Sequence, residues 1–141
     1  GFGWMFRSLK RDDRAFIGRQ AIEREMAEET SRWHMVGLEV DWRSYEETYN
    51  NLGLIAPKDH TPVEFAMALY NEKKKWVGHT TSFIYSTILK KHIAMAKVEP
   101  AMSDIGTEVL LELTINDRPR LVTAQVVKMP FFNPARKSAR Q

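Results

Sequence analysis

From Thr107 to Met129 the chain runs TEVLLELTI, then ND, then RPRLVTAQVVKM. Val109, Leu111, Leu113 and Ile115 alternate with Glu108, Glu112 and Thr114, Leu110 being the exception. That period of two belongs to a strand with one buried face. Asn116 and Asp117 both tolerate positive φ, so they predict a two-residue turn that returns the chain as a second strand, Arg118 to Met129.

The same grammar extends backwards. Trp33 to Val40, Glu64 to Tyr70, Lys75 to Ser82 and His92 to Val98 are strand-like, and Asn71 to Lys74 is a charged hairpin turn between two of them. Short antiparallel strands joined by tight turns predict a mainly β fold: a small antiparallel β-barrel, Greek-key or jelly-roll-like, with one or two peripheral helices. Its core is expected from Val77, Ile93, Met95, Val109, Leu111, Leu113 and Val126. One helix is expected over Arg19 to Glu29, outside the barrel, with Ile22 and Met26 on a narrow apolar face. A second follows an S-x-x-E capping box at Ser44 and Glu47, carries Tyr45 and Tyr49 on one face, and ends at Gly53. The proline-containing run Leu54 to Pro62 reads as an excursion over the surface.

Composition narrows the function classes. The chain has 141 residues, 43% hydrophobic and 28% charged, which suits one globular domain with a fragment of a second. With Cys 0 there is no disulfide, thiolate metal site or thiol nucleophile. No apolar run approaches the roughly 20 residues of a membrane helix, and charges between Arg7 and Arg24 exclude a signal peptide. The expectation is a soluble, cytoplasmic domain with no membrane partner. The net charge of +3 is unevenly placed: after Asp117 there are six bases, Arg118, Arg120, Lys128, Arg136, Lys137 and Arg140, and no acid. Such a tail is either solvated or turned towards an anion. No nucleic-acid-binding motif accompanies it, so nucleic acid is not expected as a partner. The apolar run Phe2 to Phe6 directly after Gly1 would be a sticky free edge, which predicts a piece of a longer chain.

No catalytic constellation emerges from the residues. His34, His60, His79 and His92 lack metal-ligand spacing and read as structural or surface residues. Glu28-Glu29 and Glu46-Glu47 are neighbours on helices and point apart. Thr80-Thr81-Ser82 adjoins His79 without a nucleophile turn around it. Trp33, Trp42, Tyr45 and Tyr49 read as packing residues.

Longer motifs carry a resemblance. Val77-Gly78-His79-Thr80-Thr81-Ser82, with Tyr85-Ser86 and Leu89, then His92 to Val98, resembles the VG-x-x-TSG-x-x-SP-x-L and I-A-x-A-x-V pattern of the glycine-cleavage T-protein (aminomethyltransferase) family, in its C-terminal barrel. Gly106-Thr107-Glu108-Val109 resembles its GT-x-V strand start, and Lys128-Met129-Pro130-Phe131 its closing K-x-PF segment. Gly3-Trp4 and Phe16-Ile17-Gly18-Arg19-Gln20-Ala21 are similar to its G-W and F-I-G-R-x-A-L junction, and Val36-Gly37-Leu38 to its V-G-L strand. Phe83 stands where the family has Gly and Thr87 where it often has Pro, and Trp42 to His60 is longer than usual, which suggests a divergent branch.

The resemblance implies a tetrahydrofolate-dependent one-carbon transferase. In it, residues 1–30 would be a junction strand and helix from a preceding domain, and 31–141 the C-terminal barrel. The barrel would close a folate site formed with N-terminal domains of the same chain, and would not act alone. Those domains would supply the catalytic carboxylate, and none is assigned here. By position after Pro130-Phe131, Arg136 is the folate-binding candidate and Lys137 the reserve; a guanidinium can hold a folate carboxylate bidentately. A lipoyl carrier protein or other one-carbon donor would be the further partner. Two alternatives remain: a non-catalytic folate- or partner-binding module, and the folate-side domain of a demethylase or methylated-amine dehydrogenase.

Overall fold

The computed structural model describes residues 15–134. Six strands, β1 (His34–Val40), β2 (Ala68–Tyr70), β3 (Trp76–Ser86), β4 (Lys91–Val98), β5 (Glu108–Ile115) and β6 (Arg118–Val127), close into a barrel in the order β1-β4-β3-β2-β5-β6. Every pairing is antiparallel. The hairpins β2-β3-β4 are followed by a long return that lays β5 beside β2, which is a Greek key. Closure removes the open edge that strands of this length would otherwise present.

The β5-β6 hairpin forms as its sequence predicts. Ile115 pairs with Arg118, and Asn116 and Asp117 take φ of 51° and 59°. Between β2 and β3, the Asn71 side-chain oxygen accepts from the N–H of Lys73 and of Lys75, both at 3.0 Å, and holds the charged turn. Strand limits shift in two places. Of the stretch 64–70 only Ala68–Tyr70 is strand, preceded by a lone bridge between Val63 and Phe83. β3 runs on to Ser86, because residues 83–86 keep pairing with β4.

Val77, Val109, Leu111, Leu113 and Val126 are buried in the core as expected, but Ile93 and Met95 are not. On β4 the inward side chains are His92, Ala94, Ala96 and Val98. Both faces of this strand look apolar, so alternation alone does not orient it. A narrow barrel mixes small and large inward residues, and alanines fit opposite Leu38, Val36 and Thr80.

Thr80 is the one fully buried hydroxyl at the β2-β3 seam. It faces inwards with Gly78, and its Oγ1 accepts from Met67 N–H at 3.0 Å; the bulge that follows at Thr81 then brings Phe83 inwards. Thr80→Val keeps the shape and strands that amide, so it is expected to cost about 1–3 kcal/mol in a urea melt. An unchanged midpoint would show that Met67 N–H finds another acceptor.

Among the described residues two α-helices flank the barrel. Helix α1 (Arg19–Glu28) buries none of its residues, and Ile17 beside it is fully exposed. Helix α2 (Trp42–Asn50) begins one turn earlier than the S-x-x-E motif suggests. Asp41 is its N-cap, the carboxylate accepting from Ser44 N–H at 2.8 Å, and this leaves the Ser44 hydroxyl to accept from Thr123 N–H of β6 at 3.0 Å. At the other end Gly53, φ 69°, closes a Schellman turn with Leu54 N–H on Tyr49 O.

Candidate functional site

Arg136 and Lys137 lie outside the described residues, as do Gly3-Trp4 and Phe2 to Phe6. The segment leading to Arg136 is described, and it is anchored. Past β6 the chain turns at a cis Met129-Pro130 peptide and folds back over β1. There Met129 and Phe131 fill the space above Gly37: a Cβ at that position would stand 2.7 Å from Met129 Cγ and 2.8 Å from Phe131 Cε1. The small residue in V-G-L and the closing K-x-PF segment are thus two halves of one contact. It fixes where residues 132–134 leave the barrel.

The second built feature is the barrel mouth formed by the ends of β3, β4 and β5. The 54–62 run crosses this mouth as a strap, and so is more than a surface excursion: Ala56 is buried, and Tyr85 N–H donates to Asp59 O at 3.1 Å. Helix α2 contributes Trp42, Tyr45 and Tyr49, and β3 contributes Phe83 and Tyr85. At the centre stands His92, 2% exposed. Trp42 and Phe83 lie parallel to its ring at 5.8 and 5.2 Å, Tyr45 is tilted against it at 4.3 Å and Tyr85 meets it edge-on at 5.0 Å. Burial lowers the imidazole to about 4, reinforced by the positive charge of Lys58 and opposed by the Pro57 carbonyl. His92 is therefore neutral at physiological pH, and its Nδ1 has no hydrogen-bond partner. Burial, then the neighbouring Tyr49 hydroxyl, pushes the Tyr45 phenol far above its ordinary range.

This cage gives the Phe83 departure a physical meaning. A glycine there would leave one face of the His92 ring bare. Its sequence signal was present: Tyr85 pairs directly with His92, and a histidine heads an inward series of Ala94, Ala96 and Val98. The other histidines are scattered. His34 Nδ1 is 3.0 Å from Ser103 Oγ, His79 packs between Trp33 and Trp76, and His60 is exposed on the strap. Among the described residues no three His, Asp or Glu gather in a group that could hold a metal ion. No described helix is long and apolar enough to cross a membrane.

The fold and sequence have relatives. Residues 51–133 match the family model described as the glycine cleavage T-protein C-terminal barrel domain. An aminomethyltransferase from Synechococcus sp. is 33% identical over 132 residues, covering 94% of this chain and 29% of the relative. One from Bacillus velezensis is 28% identical over 138 residues, covering 98% and 31%. The crystal structure of glycine cleavage system aminomethyltransferase T from Bartonella henselae superposes with a TM-score of 0.61 at 21% identity, over 83% of this chain and 26% of that one. The chain thus spans about three tenths of the length of the curated relatives it matches.

Proposed function

Since the chain belongs to the glycine cleavage T-protein family, whose C-terminal barrel it carries, we propose that it serves a tetrahydrofolate-dependent, aminomethyltransferase-like one-carbon transferase by closing the folate site. The observation that carries this reading is the seating of Met129 and Phe131 on Gly37. This seating gives the described chain a fixed point of departure from the barrel, which supports a role for the basic residues that follow it. Arg136, with Lys137 in reserve, would meet a carboxylate of folate, an anion matched to the acid-free end of the chain. Helix α1 supports assigning residues 1–30 to a preceding domain, because none of its residues is buried. The carboxylate that orients the attack and the contacts to the one-carbon donor, whether a lipoyl carrier protein or another, would come from N-terminal domains of the same protein, so the barrel alone would not turn over.

Folate titrated into the full-length protein tests this. Arg136→Ala is expected to weaken binding by about 1.5–3 kcal/mol, the range for a hydrogen bond to a charged group. Arg136→Lys should recover part of the loss, since an ammonium lacks the paired geometry, and Arg140→Ala should change little. Equal affinities for wild type and Arg136→Ala would return the residue to a solvated tail. Folate binding without one-carbon transfer would leave a binding module.

A further inference from the structure

The capped barrel mouth holds chemistry that the folate reading does not use. Beneath the strap lies a cavity of about 250 Å³, bounded by Tyr45, Tyr49, Phe65 and Phe83, with His92 as a floor residue and Asp59 at the rim. That is the liquid volume of roughly eight waters. Among the described residues Asp59 is the only charged group in the lining. Its Oδ1 accepts from Thr61 N–H at 2.8 Å, and this contact holds the carboxyl below its usual range, so the rim is negative.

Each candidate ligand class can be weighed against these groups. An anion meets a carboxylate and no cation in the lining. Lys58 does not line the cavity, its Nζ being held over the Trp42 ring, 5.0 Å from the centre. A purely apolar molecule covers the aromatic wall and leaves the rim carboxylate without a counter-charge. An organic ammonium satisfies the set. Its charge is attracted to ring faces and to the carboxylate, and its carbon skeleton covers aromatic wall. We propose that this cavity is a binding site for a small organic ammonium ion, with the ammonium towards Asp59 and the carbon skeleton against Tyr45, Tyr49, Phe65 and Phe83. The site uses no residue of the closing segment, so it stands or falls independently of folate binding.

Benzylammonium chloride titrated into the chain, followed by the NMR signals of the His92 ring, is the test. Saturable shifts of those signals are expected. Asp59→Asn should weaken the affinity about fivefold, the upper end for an exposed ion pair. Phe65→Ala, at an exposed wall residue, should weaken it by a similar factor through the lost ring face. Benzyl alcohol, of the same shape and uncharged, should bind about tenfold more weakly. Unmoved His92 signals would overturn the proposal. Equal binding of the alcohol, or an affinity indifferent to Asp59→Asn, would overturn it as well.

Discussion

Gly78→Ala should destabilise the barrel by about 3 kcal/mol, the upper end for overpacking a core, and more if the strands cannot part. A Cβ on Gly78 would stand 2.1 Å from the carbonyl oxygen of Lys97 and 2.9 Å from Val98 Cα. Gly78 pairs with Val98 on β4 and with Leu69 on β2, so it is clamped between two strands of a closed barrel. Backbone on a neighbouring strand cannot rotate away. Relief requires breaking the β3-β4 register, and with it the bulge that turns Phe83 inwards. Gly37 supplies the comparison. There the obstructing atoms belong to the Met129 and Phe131 side chains, which can move, so Gly37→Ala should cost about 1 kcal/mol, the low end of the same range. Its larger effect should fall on the closing segment and therefore on folate affinity. Urea melts of the two variants separate these cases, and equal midpoints would mean that the close approach at Gly78 is not rigid.

How much of this was legible depends on where a residue's partner lies. The β5-β6 hairpin could be read because its determinants are local: one alternating run, and two residues that accept positive φ. The Asn71 turn is local in the same way. The orientation of β4 was not local. Ile93 and Met95 are more apolar than Ala94 and Ala96, yet the inward positions went to the alanines because Leu38, Val36 and Thr80 already occupy the interior opposite them. The helix cap failed for a related reason. Ser44 was read as the N-cap because its sequence spacing to Glu47 allowed it, but the Ser44 hydroxyl is engaged by β6 and Asp41 caps instead. The family motifs located the closing segment and its Gly37 seat, since those are short patterns in a fixed order. They were silent on the His92 cage, which draws on α2, the strap and β3 together, and whose Phe83 appeared only as a departure from the pattern.

The His92 cage should make stability fall steeply in mild acid. In the unfolded chain the imidazole titrates near its ordinary value of about 6.5, whereas in the fold it is lowered to about 4. Above the ordinary value both states hold a neutral ring and the cage is fully stable. As pH falls from about 6.5 to about 4, the unfolded chain takes up a proton that the folded ring refuses, and stability declines by up to about 1.4 kcal/mol per pH unit. The total over that window is about 3 kcal/mol, after which the dependence levels off. The neighbouring groups with shifted titrations do not mimic this: the Tyr45 phenol is raised, and the Asp59 carboxyl is lowered, placing its own change at the acid end. His92→Leu removes the titrating ring and the orphaned Nδ1 while keeping an apolar plug between Trp42 and Phe83. In urea melts of both proteins at a series of pH values between 4 and 7.5, the wild type should therefore lose about 3 kcal/mol towards acid that the variant keeps. Parallel curves would mean that water reaches the imidazole and that the ring is not held neutral by its burial.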